Sequence, residues 1–363
     1  MGKGLGKVSR REFLAGASAT SLAVATWGDF LTSRAQDDPA KARHTVAADD
    51  DKALVAITLD LEMSMHYPKW GMTEWNYAKG NLDEPTKQYI VEACRRVRAK
   101  GGVTHSFVVG QVFEQENVDW LKQMLRDGHL LGNHTYDHVN VWSKKPSEIQ
   151  WRFRRAPWLI HDKSIEEVIR ENIRLTEMAM MTRLGTKPVG FRTPGGSAGG
   201  LLERPDLQTM FLKLGYTWVS SMARHVAIRP ENPGEEDFRA VSEAQKDSQP
   251  FVYPTGVMEI PMSPISDVAA FRHKDKKWKI GDFLKMLERS VQWAIDHRAA
   301  FDLLTHPSIM YVEDPQFRAY ELVCDMVNAS SGKASVVGLD AIARRTKLRA
   351  TQRSRSSHRG NST

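Results

Sequence analysis

Two histidines four residues apart, His134 and His138, close the segment Gly132-Asn133-His134-Thr135-Tyr136-Asp137-His138. A single helical turn through it would put both imidazoles on one face, aimed at the same ion. A catalytic metal normally takes a third protein ligand and keeps one position open for water or substrate. The stretch Thr58-Leu59-Asp60-Leu61-Glu62 offers that ligand, closing an apolar run from Ala53 to Ile57 that reads as a buried strand. Strand side chains alternate between faces, so Asp60 and Glu62 share one side while Leu59 and Leu61 point to the other. Amide or ester hydrolysis needs an activated water, a stabilised oxyanion and a protonated leaving group, and a divalent ion can serve the first two.

The elements that must position these groups alternate along the chain. Glu84 to Lys100 carries apolar or small residues at Tyr89, Ile90, Ala93, Cys94 and Val97 and stops at Gly101-Gly102, the pattern of an amphipathic helix. Strand-like runs at 103–109, 189–192, 218–222, 258–262 and 301–304 alternate with helix-like runs at 118–126, 166–181, 207–214 and 283–297. Such alternation argues for a largely parallel sheet with covering helices. Met63 to Glu84 has aromatics at Tyr67, Trp70, Trp75 and Tyr77 without periodicity and reads as a long loop of the kind that serves a site. Asn140 to Ile160 interleaves Trp142, Trp151, Phe153 and Trp158 with Lys144, Lys145, Arg152, Arg154 and Arg155, a platform for sugar rings or anionic groups or else surface packing. Residues 223–250 are polar and read as a surface insertion. The glycine-rich run Gly195 to Gly200 lacks the Lys-Ser/Thr ending of a phosphate cradle, which argues against a nucleotide.

Five segments together resemble the polysaccharide deacetylase family, the metal-dependent de-N-acetylases and de-O-acetylases that include chitin and peptidoglycan deacetylases. They are Thr58 to Glu62, His134 to His138, Phe191-Arg192-Thr193-Pro194, Tyr216-Thr217-Trp218 and Leu304-Thr305-His306, in the family's order. The resemblance implies an α/β fold, a distorted barrel of about seven strands, with the site at the strands' C-terminal ends. It implies Asp60 as general base, Arg192 as the arginine that pairs with and orients it, and His306 as the acid that protonates the leaving amine. Pro194 and Trp218 fall at substrate-binding positions. The family's first motif carries a second Asp as metal ligand where this chain has Leu61, so Glu62 is expected to substitute beside His134 and His138. The family also often sets its acid histidine with an Asp in the fourth motif, and Trp218-Val219-Ser220-Ser221 contains none. The cofactor implied is one divalent ion, zinc by preference, with cobalt, nickel or iron fitting the same ligands. The expected activity is removal of acetyl groups from an N-acetylated polysaccharide. An amidase on a small cyclic or non-sugar amide, and a catalytically silent carbohydrate-binding protein of the same fold, remain open beside it.

Composition bounds the partners. The net charge of +7 over 363 residues divides into +3 on residues 1–35 and +7 on residues 344–363, leaving −3 on residues 36–343. The central region therefore lacks the basic footprint that nucleic-acid binding needs. Cys94 and Cys324 lie far apart in helix-like stretches and read as buried free thiols. Ser9-Arg10-Arg11-Glu12-Phe13-Leu14-Ala15, followed by a mildly apolar run to Trp27, reads as a twin-arginine export signal over residues 1–35, recognised by that export machinery and removed near Ala35. The run is too short for a stable membrane span, and the expected destination is periplasmic or extracellular. Residues 36–52 read as a linker, 53–343 as the catalytic domain and 344–363 as a disordered basic tail.

Overall fold

The computed structural model describes residues 51–272 and 278–360. The twin-arginine segment and most of the expected linker lie outside the described residues.

Nine strands occur among the described residues, β1 (Ala53–Leu61), β2 (Thr104–Val108), β3 (Leu130–Asn133), β4 (Phe191–Ser197), β5 (Trp218–Met222), β6 (Phe251–Val252), β7 (Met258–Glu259), β8 (Ala300–Thr305) and β9 (Ala334–Val336). They run in the order β6-β7-β5-β4-β3-β2-β1-β8, with β9 added to the start of β1. The seven strands from β8 to β7 are mutually parallel, and only β6 is antiparallel. The sheet curls into a half-barrel whose outer face the helices cover, as the family resemblance implied. Near the cavity, the Ser263 N–H donates to the Asp302 carbonyl at 2.9 Å, joining the loop after β7 to β8 by a single bond.

β1 organises the interior because its residues are buried on both faces, as a central parallel strand requires. Ala53, Val55, Ile57, Leu59 and Leu61 pack outward into the cluster shared with the helices. Leu54 and Ala56 pack inward with the first residues of β5, β7 and β8, Trp218, Met258 and Ala300. The same inward row continues with Thr58 and Asp60, so the barrel changes from apolar to polar towards its C-terminal end. Leu61 thus faces the helix layer and supports the core rather than the site.

The helices form where their capping chemistry starts and stops them. The Asp83 carboxylate accepts from the Thr86 N–H at 3.0 Å to open the helix Glu84–Ala99. Ser164 and Glu167 form a capping box for Ile165–Leu184, which stops at Gly185 with φ +69°. Two expectations are corrected. Residues 223–250 hold a helix, Glu235–Asp247, whose Phe238 and Val241 enter the main core. The basic tail, expected to be disordered, continues a helix from Leu339 to Gly360. Leu339, Ile342 and Ala343 anchor that helix under the inner apolar cluster, and Arg344 pairs with Asp340 one turn back at 2.5 Å. No helix among the described residues is long and apolar enough to cross a membrane.

Cys94 and Cys324 are buried and unpaired. Burial pushes both thiols up to about 12, which leaves neither available as a nucleophile.

Candidate active site

His134 and His138 converge, although not by the helical turn their spacing suggested. The segment after β3 is a loop in which Thr135 and His138 have φ of +60° and +57°. Side chains fix it: the Asn133 amide oxygen accepts from the Thr135 N–H at 2.8 Å, and Asn172 accepts from the Asp137 N–H at 2.8 Å. The rings end 5.0 Å apart and inclined at 66°. His134 Nδ1 lies 3.0 Å from the Arg192 carbonyl, which can only accept, so the Nδ1–H donates and the Nε2 lone pair faces inward. Burial lowers both imidazoles' pKa, His138 to about 4, and keeps them neutral as ligands must be.

Glu62 completes this cluster just beyond the end of β1. Its Oε2 lies 2.5 Å from His138 Nε2 and 3.8 Å from His134 Nε2. One donor atom from each of the three residues lies within 4.8 Å of the others. Glu62 Oε2 and His134 Nε2 are buried and have no hydrogen-bond partner of acceptable geometry. Orphaned buried lone pairs converging on one point fit a cation, so these residues suit the divalent ion that the sequence implied. The other oxygen, Oε1, accepts from the buried Lys79 ammonium at 2.7 Å. Burial opposes ionisation of Glu62, but His138 and Lys79 outweigh it and hold the carboxyl well below its usual range.

Asp60 sits beside that cluster and is held from below. Arg192, fully buried on β4, donates from Nη1 to Asp60 Oδ1 at 3.1 Å and to Thr58 Oγ1 at 2.7 Å. Its Nη2 donates to Asp302 Oδ2 at 2.5 Å, and Ser220 Oγ accepts at 3.2 Å. The guanidinium stacks 4.4 Å over Phe107. Arg192 therefore bridges two carboxylates, and the expected pair with Asp60 is only half of its role. Burial raises Asp302 to about 6, with Arg192 pulling it back and Asp60 adding to the rise. Removing a buried bridging charge leaves its partners uncompensated. Arg192→Met should cost about 3–5 kcal/mol in urea unfolding. A loss below about 1 kcal/mol would mean the two carboxylates accept each other without it.

His306 follows β8 and faces the same space from the strand next to β1. Its backbone N–H donates to Asp267 Oδ2 at 2.5 Å and its Nδ1 meets Asp267 Oδ1 at 2.9 Å. That leaves Nε2 inward, 3.9 Å from both Asp60 Oδ2 and Glu62 Oε1. Burial alone would lower this imidazole's pKa, but Asp267, Asp60 and Glu62 outweigh it and push it up to about 9. Asp267 supplies the carboxylate that the fourth motif lacks. It comes from the loop after β7, immediately before a single π-helical turn, Val268–Arg272, a deviation often found at sites.

These groups open into a cavity of about 390 Å³, within the usual range for small-molecule sites. Asp60, Glu62, His138 and His306 line it, with Lys79, Met65 and Trp75 from the loop after β1, which takes the place the sequence assigned it. His225 also lines it. Pro194 is buried between two lining residues, Thr193 and Gly195, and is not itself on the wall. Trp218 is corrected outright. As the first residue of β5 it lies in the apolar end of the barrel, edge-on to His105 and Phe107 at 5.7 and 6.3 Å. It packs over Gly190, where φ is +75° and a Cβ would lie 2.0 Å from the ring. The substrate position implied for it is therefore occupied by core packing.

The fold is the one shared by solved polysaccharide deacetylases. A crystal structure described as a polysaccharide deacetylase from Mycobacterium smegmatis matches with a TM-score of 0.55 at 16% identity, covering 83% of this chain and 93% of that one. One similarly described from Pseudomonas aeruginosa PAO1 matches at 0.55 and 12%, covering 81% and 91%. The Puue allantoinase matches at 0.54 and 12%, covering 82% and 91%. At these identities the likeness is one of fold. In sequence, residues 82–217 match the family model for polysaccharide deacetylase, a span that holds His134, His138 and Arg192 but neither Asp60, Glu62 nor His306. A chitooligosaccharide deacetylase from Azorhizobium caulinodans is 28% identical over 74 residues, 20% of this chain and 35% of that protein, so the match spans about a third of that relative.

Proposed function

We propose that this chain is a metal-dependent hydrolase that removes acetyl groups from an N-acetylated polysaccharide, acting on carbon–nitrogen bonds other than peptide bonds. The observation that carries this reading is the convergence of a three-donor cluster, Glu62, His134 and His138, with a carboxylate and an imidazole that are each held by a buried partner. A divalent ion held by Glu62, His134 and His138 would lower the pKa of water and polarise the acetyl carbonyl. Asp60, its Oδ1 tied to Arg192, keeps Oδ2 free to take the proton of the attacking water. His306, protonated at neutral pH and pinned by Asp267, presents Nε2–H to the departing amine. Asp60 Oδ2 and His306 Nε2 lie 3.9 Å apart at the ends of neighbouring strands, so both reach one reacting centre, where one would accept a proton and the other give one. Zinc suits two imidazoles and a carboxylate, and cobalt, nickel or iron fit the same donors. Export by the twin-arginine route to a periplasmic or extracellular site belongs to the same proposal, which suits a polymer substrate.

One observation favours a second reading, an amidase on a small cyclic or non-sugar amide. Lys79 already neutralises one oxygen of Glu62 and the cavity wall beside it is apolar at Met65, Trp75 and Met262. The deciding experiment combines metal quantification on the full chain with acetate release from chitin oligomers and peptidoglycan fragments. Stoichiometric metal with acetate release is expected in the parent, and His134→Ala should lose both. Hydrolysis of small cyclic amides without acetate release would select the second reading, and full metal retention by His134→Ala would place the site elsewhere.

A further inference from the structure

Beside the cavity, the segment 140–160 and the loop after β1 build an exposed cation–aromatic surface. Trp151 opens the short helix Trp151–Arg155 and is 44% exposed. The Arg154 guanidinium lies 4.2 Å over its ring. Arg155, four residues on and hence on the same helical face as Trp151, lies 4.0 Å over Tyr77, itself 38% exposed. Trp158 on the same segment is 71% exposed. Large aromatics standing in water, grouped rather than scattered, mark a binding surface.

The charges point the same way. Nearby Arg152 is paired with Asp137, but neither Arg154 nor Arg155 has a carboxylate partner among the described residues. The Arg154 Nε donates to the Ser147 carbonyl at 3.1 Å, which orients the guanidinium and leaves its terminal nitrogens open. Stacking on a ring fixes the plane of a guanidinium whose two-pronged edge matches a carboxylate. In residues 36–343, whose net charge is −3, two adjacent arginines without carboxylate partners make a local positive feature.

The surface is also tied to the cavity. Tyr77 comes two residues after the cavity-lining Trp75, a backbone reach of at most about 7 Å. The Gln150 amide donates to the Asn76 carbonyl at 3.1 Å, locking the two segments together. Arg152 reaches Asp137, the neighbour of His138. A polymer with one unit in the cavity would lay its adjoining units across Tyr77 and Trp151.

We propose that Tyr77, Trp151, Arg154 and Arg155 form a subsite for the carboxylate-bearing units of an acidic glycan, so that the polymer recognised carries uronate-type sugars beside its acetylated ones. The proposal rests on the glycan-hydrolase reading for the identity of the polymer, and its test does not require activity. Apolar ring faces would meet the C–H faces of the sugars while the two guanidinium edges take their carboxylates. Nucleic acid offers stacking bases and anionic groups too, but its phosphates would draw on a broad basic surface that residues 36–343 lack.

The test is native affinity electrophoresis of the full chain in gels containing polygalacturonate, neutral dextran or single-stranded DNA. The parent should be retarded by polygalacturonate alone, less so as salt rises. Arg154→Gln with Arg155→Gln should weaken that retention about tenfold or more, since charge-assisted hydrogen bonds are the strong ones. Arg154→Lys with Arg155→Lys should restore it only in part. Arg344→Gln with Lys347→Gln removes the same charge at the other end of the barrel and should leave retention intact. Thermal midpoints of all variants report whether they fold. His134→Ala should be retained like the parent, which separates this surface from the cavity: retention without acetate release in the parent defeats the hydrolase reading alone. Equal migration in dextran and polygalacturonate, undiminished retention of the double glutamine variant, or retention by DNA alone would overturn the subsite.

Discussion

Asp60→Asn should keep its metal and lose about 100-fold to 10,000-fold in rate, the range that general-base catalysis contributes. Glu62→Gln should lose metal first and activity as a consequence. The two carboxylates lie on one face and line one cavity, so the contrast must come from their partners. Asp60 Oδ1 is fixed by Arg192 at 3.1 Å, and an amide oxygen can accept that bond equally well. Its other oxygen is the proton acceptor, and an amide nitrogen cannot take that part. Glu62 offers Oε2, orphaned and buried, to the point where His134 and His138 converge. Glutamine keeps an oxygen for Lys79 and forfeits the negative charge that holds a cation. Metal content by mass spectrometry, read beside initial rates, checks both halves, and excess metal should restore part of the activity to Glu62→Gln only. If Asp60→Asn sheds the metal while Glu62→Gln retains it, the two assignments are reversed. If both bind metal and hydrolyse like the parent, the mechanism fails.

The same strand shows how far the sequence could be read. Alternation along β1 placed Asp60 and Glu62 together and Leu61 apart, because period two is a local property of an extended chain. The departure at Leu61 is explained by the helix layer it packs into. His134 and His138 were legible from type and spacing, while their loop geometry was not, since Asn133 and Asn172 fix it and one of them is remote in sequence. Asp302 carried a faint signal, a lone carboxylate inside the apolar run Phe301 to Leu304, whose burial calls for a partner. Lys79 and Asp267 carried none. Each sits outside the strands and gains its role from a contact with a residue just past the end of one, Glu62 after β1 and His306 after β8. Trp218 misled because a motif position says which strand a residue is on, and the end of the barrel it occupies is set by register.

Asp267→Asn should lower the rate and, more tellingly, move the alkaline limb of the pH–rate profile to lower pH. His306 holds its proton up to about 9 although burial alone would strip it earlier, and Asp267 is the largest of the groups that oppose burial. An acid works only while protonated, so the parent's activity should persist until pH rises through about 9. With the carboxylate gone, the imidazole loses its proton at lower pH, and kcat should fall furthest at the alkaline end while KM changes little. Linkage gives an independent sign. A raised folded-state pKa contributes stability that is full below the unfolded value, about 6.5, and is lost as pH rises through about 9. The stability gap between parent and Asp267→Asn should therefore be wide at neutral pH and close at alkaline pH. The introduced asparagine would still offer an amide oxygen to Nδ1, so an effect of mere anchoring would scale the whole profile without moving its limb. A limb that stays in place would assign Asp267 to positioning alone and the proton donated to the leaving amine to another group.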